Sequence, residues 1–252
     1  GLTTARKRGS DVLVLVPASS RTERHDVKGF DQASFLRTTV GDVEQVGTEE
    51  TLVPTVRDAL RRLRRGDGPI AVQIPRDVLA SEVDEPDLSR IGRPEQPDSR
   101  SARLAPAPSD VEAAVDRYLE SDATEPPIIL AGRGAVASGA KSAILDLAER
   151  TSAYLVTTLQ AIGYFSDHPY SLGFVGNFGS NLANESIAEC DFVLAVGCSL
   201  NDHTTNQGRL LADVSTVVQI DADPLQIGRY APVDLGIVGD GVLAGERLPV
   251  DL

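Results

Sequence analysis

Methionine and tryptophan are absent from the 252 residues, and there are only two cysteines and three histidines. Each shortage removes a class of protein. Two cysteines cannot build a disulfide framework. Cys190 and Cys198 sit in or beside one apolar run, which favours buried free thiols in a reducing compartment over a disulfide. His25, His168 and His203 lack metal-ligand spacing, so a histidine-based metal centre is not expected. Basic residues are outnumbered, 24 Lys and Arg against 37 Asp and Glu, and the net charge of −13 argues against a nucleic-acid surface. No window approaches the ~18 consecutive apolar residues of a membrane span, and no secretory signal opens the chain. The expectation is a cytoplasmic protein with neither nucleic-acid nor membrane partners. The phosphate-binding pattern G-x-x-x-x-G-K-[ST] is missing, and Gly197-Cys-Ser-Leu-Asn201 breaks the G-x-S-x-G pattern at its last position. Position 1 is not methionine. Gly1-Leu-Thr-Thr-Ala-Arg6 reads as the middle of a helix, which implies a removed N-terminus or a fragment, with a tag scar as the plain alternative.

Apolar periodicity outlines the elements that are present. Val12-Leu-Val-Leu-Val16 is a continuous apolar run, suited to a parallel strand covered on both faces. Residues 18–32 read as a loop. Residues 54–65 read as a helix with Pro54 in its first turn. In it Val56, Ala59, Leu60 and Leu63 form one buried stripe, while Arg57, Arg61, Arg62, Arg64 and Arg65 read as a solvated face. Ile70 to Ile74 is the next strand, and an exposed Arg76-Asp77 follows Pro75. Between Val83 and Pro108 periodicity vanishes and prolines 86, 94, 97, 106 and 108 punctuate a polar stretch, which marks a domain boundary. Ser109-Asp-Val-Glu112 has the spacing of a capping box opening a helix. Strand and helix then alternate: strands at 128–131, 154–157, 192–196 and 217–220, helices at 142–150 and 184–189. Such alternation means an α/β fold with a parallel sheet.

Five polar or glycine-bearing segments lie at or beyond the carboxyl ends of these strands. They are Leu130 to Gly139, Thr157 to Gly163, Leu172 to Gly179, Val196 to Asp202 and Val217 to Pro224. Open parallel sheets bind ligands along that edge. In the first, Gly132 and Gly134 fit a phosphate-approaching turn, but Ala137 stands at the third glycine position of G-x-G-x-x-G; a tight strand-to-helix turn is the plain reading. In the fifth, Asp221 suits a ribose hydroxyl or, equally, a cap for its own turn.

In this order the segments resemble thiamine-diphosphate-dependent enzymes of the acetolactate synthase and benzoylformate decarboxylase branch. Gly68-Pro-Ile-Ala-Val-Gln-Ile-Pro-Arg-Asp-Val-Leu79 resembles the end of their pyrimidine-binding domain. Pro127-Ile-Ile-Leu-Ala-Gly-Arg-Gly134, Thr158-Leu-Gln-Ala-Ile-Gly163, Asp167-His-Pro-Tyr-Ser-Leu-Gly-Phe-Val-Gly176, Gly197-Cys-Ser-Leu-Asn-Asp202 and Ile220-Asp-Ala-Asp-Pro224 resemble successive parts of the central domain. The resemblance implies three-layer parallel-sheet domains: a partial pyrimidine-binding domain at 1–82, a linker at 83–108 and a Rossmann-like central domain at 109–245.

It also implies a lyase or transferase that decarboxylates or ligates 2-oxo acids with thiamine diphosphate and magnesium, working as a homodimer or homotetramer. The glutamate that drives cofactor activation is expected before residue 1, so this chain alone is expected to be inactive. Gly66-Asp-Gly68 and Gly239-Asp-Gly241 lack the paired asparagine of a magnesium site and read as turns. Phe30 of Lys28-Gly-Phe-Asp-Gln32 fits a family stretch, Phe-Gln-Glu, that lines the active site, whereas Asp31 and Gln32 depart from it. In some members the central domain binds flavin adenine dinucleotide (FAD); in others the pocket is empty or holds another nucleotide. By resemblance, the lining would be Gly132, Arg133, Gly134, Thr158, Leu159, Gly176, Asn177, Gly197, Asp202 and Asp221. The other reading is a non-catalytic nucleotide-binding module of the same descent.

Overall fold

The computed structural model describes residues 1–22, 29–64, 67–82, 103–121 and 125–247. The chain divides into two compact units, residues 1–96 and 97–252, and the division falls inside the 83–108 stretch. Most of that stretch, with prolines 86, 94 and 97, lies outside the described residues, as do Lys28 and Arg65.

The first unit is a three-stranded parallel sheet with helices on both faces. Its elements are α1 (Leu2–Lys7), β1 (Leu13–Ala18), α2 (Gln32–Thr39), β2 (Asp42–Gln45), α3 (Glu49–Leu63), β3 (Ile70–Pro75) and α4 (Arg76–Leu79). The strand order is β1-β3-β2, and β3 is buried along its whole length. Ile70, Val72 and Ile74 pack against Ala59 and Leu63 of α3, while Ala71 faces Leu36 of α2 and Val40. The alternation follows from the two-residue period of a strand.

Helix α3 starts earlier than the stripe suggested. Thr48 and Thr51 close a reciprocal cap, with Glu49 and Glu50 in the first turn, and Pro54 lies inside the helix. The acidic turn suits the positive end of the helix dipole. Arg62 is not simply solvated: its guanidinium meets Asp42, Glu44 and Asp67.

The second unit carries a six-stranded, all-parallel sheet. Its elements are α5 (Pro108–Glu120), β4 (Ile128–Ala131), α6 (Arg133–Ser138), α7 (Lys141–Thr151), β5 (Tyr154–Thr157), β6 (Ser171–Phe174), α8 (Asn181–Glu189), β7 (Phe192–Val196), β8 (Thr216–Asp221), β9 (Leu235–Val238) and α9 (Gly241–Arg247). The order is β6-β5-β4-β7-β8-β9. On one face Ile129, Leu155, Leu194, Val218 and Ile237 pack with α5, α6, α7 and α9; on the other, Leu130, Val156, Val193 and Val217 pack with α8 and Leu200. This is the three-layer arrangement expected of a doubly wound fold.

The proposed capping box does not form. Pro108, with its fixed φ, opens α5 after Ala107, so Ser109 is already inside the helix. Nor does the 103–107 segment behave as linker: Asp240 N–H donates to the Leu104 carbonyl at 2.8 Å, and Gly239 abuts Pro106. Cys190 and Cys198 are buried free thiols at opposite ends of β7, too far apart to bridge. Burial pushes both up to about 12. Among the described residues no helix is long and apolar enough to cross a membrane.

Candidate functional site

The chain leaves β4 toward β5 and β6, then returns to the other side as β7, β8 and β9. The order therefore reverses between β4 and β7, where doubly wound folds open a ligand crevice at the carboxyl edge. In this structure the protein's own backbone fills that place. Gly132 N–H donates to the Val196 carbonyl and Gly134 N–H to the Gly197 carbonyl, both at 2.9 Å. A Cβ on Gly132 would stand 2.2 Å from the Gly197 oxygen, and one on Gly134 would stand 2.8 Å from the Gly197 Cα. Gly197 itself has φ +55°, and its Cβ would lie 2.4 Å from the Ala135 nitrogen. These three glycines exist so that two loops can touch backbone to backbone. Helix α6 begins at Arg133, so the expected glycine turn is already helix.

The next pair of loops interlocks in the same way. Gly176 has φ +107°, and its Cβ would meet the His203 carbonyl at 2.2 Å. Asn177 N–H donates to that carbonyl at 2.9 Å, and the Asn177 and His203 side chains approach to 3.3 Å. Asn184 brackets Gly176, accepting from its N–H and donating to its C=O. The loop after β7 is shaped by Asn201, whose Oδ1 accepts from His203 N–H and Thr204 N–H. Leu200 in this loop is buried with φ +49°, a costly conformation that the surrounding bonds enforce.

The remaining expected residues lie along the rim. Thr158 is buried and donates its N–H to the Ala131 carbonyl at 3.0 Å, while Leu159 beside it is half exposed. The Asp202 backbone carbonyl accepts from Gln207, and its side chain is exposed. Asp221 ends β8 half buried. Burial pushes its carboxyl above the ordinary range, while hydrogen bonds from the turn and the charge of Arg133 act the other way. It caps its own turn, accepting from Asp223 N–H at 3.0 Å.

The carboxyl edge is therefore divided. Asp221 and Asn177 offer side-chain partners suited to hydroxyl groups. The glycine turn is not an open phosphate cradle, because Gly132 N–H and Gly134 N–H are bonded and the space beside both glycines is occupied. The aspartates of the two Gly-Asp-Gly triplets are engaged by the protein itself: Asp240 caps α9 and pairs with Arg103, and exposed Asp67 meets Arg62, while Gly66 lies outside the described residues. Sequence reasoning missed Gln219, buried in β8. Its amide donates to the Cys198 and Gln226 carbonyls and accepts from Gly228 N–H. The available signal was a lone polar residue inside Val217-Val-Gln-Ile220.

At the carboxyl edge of the first unit, Arg21 clasps all three strand exits. It donates to Asp77 at 2.6 Å, to the Gly47 carbonyl at 2.7 Å and to Glu49 at 2.8 Å. Asp77 is therefore half buried rather than a free exposed residue, and hydrogen bonds from Arg21 hold its carboxyl down at about 2. Beside it, Gln73 is 4% exposed and joined to two further glutamines, Gln45 and Gln32. Phe30 is 64% exposed and meets Phe35 edge to face. Asp31 caps α2 by accepting from Ser34 N–H.

Comparison with known proteins gives this geometry a lineage. Residues 121–246 match the thiamine pyrophosphate enzyme central domain. A probable acetolactate synthase large subunit of Methanocaldococcus jannaschii is 34% identical over 198 residues, covering 78% of this chain and 33% of that protein. An acetolactate synthase of Arthrospira platensis is 35% identical over 182 residues, 69% of this chain and 30% of that protein. A putative thiamine pyrophosphate-containing protein, YdaP, of Bacillus subtilis is 28% identical over 255 residues, 98% of this chain and 41% of that protein. The chain thus spans about a third of the length of the acetolactate synthases it matches. With the matched stretch running from the end of α5 to α9, and the sheet order that of a doubly wound domain, the chain belongs to the thiamine pyrophosphate enzyme family, its second unit being the central domain.

Proposed function

We propose that this chain is the middle section of a thiamine-diphosphate- and magnesium-dependent enzyme that acts on 2-oxo acids. In this reading the whole protein is a lyase or transferase of the acetolactate synthase type, which decarboxylates its substrate and either protonates the remaining fragment or transfers it to a carbonyl acceptor. The single observation that carries the reading is the run of acetolactate synthases among the relatives, at up to 35% identity across both units of the chain. When bound, thiamine diphosphate supplies a nucleophilic carbon that adds to the 2-oxo group and lets carbon dioxide leave.

No residue of this chain is assigned to thiamine diphosphate or to magnesium. Its residues build the framework. In the first unit, Arg21 ties the exits of β1, β2 and β3 together, and Gln32 is bonded to Gln73 of β3. In the second, glycine packing makes the carboxyl edge rigid. FAD on that edge would rest on side chains such as Asp221, Asn177 and Thr158, with Arg133, Leu159 and Asp202 around them, and not on a glycine turn. We place the whole protein in the cytoplasm as a homodimer or homotetramer; the buried free thiols suit a reducing compartment.

The test is to read the coding frame on both sides of the segment and assay the whole product on pyruvate with thiamine diphosphate and magnesium. An upstream glutamate-bearing half-domain, a downstream Gly-Asp-Gly with a paired asparagine, and carbon dioxide release are expected. Stop codons at both ends, or no release from any 2-oxo acid, would sink the reading. The isolated 252-residue chain is expected to release none.

A further inference from the structure

The acidic and basic residues are divided unevenly between the two units. Residues 1–96 hold 16 Asp and Glu against 15 Lys and Arg, whereas residues 97–252 hold 21 against nine. Nearly all of the chain's net charge of −13 therefore lies in the second unit. In the first unit opposite charges meet: Arg21 with Asp77 and Glu49, Arg61 with Asp58, and Arg62 with Asp42, Glu44 and Asp67. In the second unit Arg103 pairs with Asp240 and Lys141, its one lysine, with Asp167.

Much of the second unit's acid has no such partner. Glu112, Asp116 and Glu120 are exposed along α5, and Glu185 and Glu189 along α8. None of these five meets a basic side chain among the described residues. Steps of four residues set like charges side by side, about 5–6 Å apart, which opposes each helix. Glu120 and Glu189 also end their helices, where the dipole favours the opposite sign, and α8 has no basic residue in its last turn. All five are exposed, so packing gives no reason for them.

The screening length decides where such a surface is tolerable. It is about 10 Å at about 0.1 M salt, longer than the gap between these carboxylates, and about 3 Å at about 1 M, shorter than that gap. Dilute salt leaves the repulsion in force, along each helix and over the unit as a whole; concentrated salt removes most of it. We infer that the second unit is adapted to concentrated monovalent salt: it holds its fold fully where the salt is about 1 M or more, and loosens in dilute buffer. The cations act as a diffuse atmosphere and occupy no fixed place. Surface acid has a use in such a solution, because carboxylates keep a protein soluble more effectively than lysine or arginine does.

The test is hydrogen exchange on the whole gene product, read peptide by peptide by mass spectrometry in about 0.1 M and about 2 M KCl. Exchange in β4, β7 and β8 is expected to slow about tenfold from dilute to concentrated salt, and exchange in β3 clearly less. A variant carrying Glu112→Gln, Asp116→Asn, Glu120→Gln, Glu185→Gln and Glu189→Gln is expected to exchange about fivefold more slowly than wild type in dilute salt. In concentrated salt the two should agree. Exchange in the second unit that ignores salt, or quickens with it, would overturn the inference and leave the acidic helices as a surface for a basic partner. A salt response of equal size in wild type and variant would overturn it too, since the effect would then be general salting-out and not charge. No activity is read, so failure here is distinct from failure of the 2-oxo acid reading.

Discussion

Gln73 in β3 and Gln219 in β8 occupy matching places. Each is the fourth residue of its strand, each is followed by isoleucine, and each is almost fully buried. They are satisfied in opposite ways. Gln219 bonds only to backbone, at Cys198, Gln226 and Gly228, and so staples two loops to the sheet. Gln73 bonds only to side chains. The same contrast holds for the two carboxyl edges as wholes. The second unit's edge is locked by main-chain contacts at Gly132, Gly134, Gly176 and Gly197, whereas the first unit's edge is tied by Arg21 and by the linked side chains of Gln32, Gln45 and Gln73. An edge made of backbone is rigid and holds one shape. An edge made of side chains can be tuned by substitution without refolding the sheet.

The sharpest way to break this contrast is to add one methyl group. Gly197→Ala combines a positive φ with a Cβ 2.4 Å from the Ala135 nitrogen. It is expected to destabilise the second unit by about 3–5 kcal/mol in denaturant titration. Gly139→Ala has positive φ but nothing within 4 Å, so about 1 kcal/mol is expected. If both changes had the same small effect, the close packing of the loops would be wrong.

Next in size are the glutamines themselves. Gln219→Leu strands one N–H and two carbonyls in the interior and is expected to cost about 2–3 kcal/mol. Gln73→Leu leaves Gln32 half exposed and Gln45 exposed, able to turn to water, and should cost about 1 kcal/mol. Equal losses of stability would erase the distinction between backbone and side-chain ties.

Two aspartates sharpen the comparison through pH. Asp77 falls from an ordinary 3.8 to about 2 in the folded state, so its contribution is full above 3.8 and is lost as pH drops toward 2. Asp77→Asn should flatten that acid decline in melting temperature. Asp221 is shifted the other way by burial, so its contribution is present at low pH and lost as pH rises through its folded value. Asp221→Asn should therefore raise the melting temperature at pH 7 and change little at pH 3. Smallest of all, Arg61→Ala removes an exposed pair with Asp58 and should change stability by about 0.3 kcal/mol, whereas Arg62→Ala, facing three carboxylates from a less exposed position, should cost about 1 kcal/mol.

What could be read from sequence follows the same division. The strands at Ile128–Ala131 and Phe192–Val196 are continuous apolar runs because both faces are covered, and Ile70–Pro75 is one broken only by Gln73; all three were legible. The stripe of α3 was legible for the same reason, though not its start, which the Thr48 and Thr51 cap sets. Strands β2, β6 and β9 were not assigned: Asp42-Val-Glu-Gln45 has one apolar residue, and β6 and β9 each contain a glycine. All three are edge strands, identified by pairing with a neighbour rather than by their own pattern. The candidate glycines were legible as tight places. What fills them was not, because Gly132 is filled by Gly197 and Gly176 by His203, across loops distant in sequence.

The two thiols at the ends of β7 make the second unit its own stopwatch. Both lie in that unit, both are buried, and both sit near 12, so alkylation in the native state is negligible. Any labelling at neutral pH counts openings of the sheet around β7. With nothing engineered into the protein, labelling of Cys198, just past the carboxyl end of β7, reads out how often that backbone-locked edge comes apart, and Cys190 reports on the opposite end. The first unit, which has no cysteine, stays silent throughout.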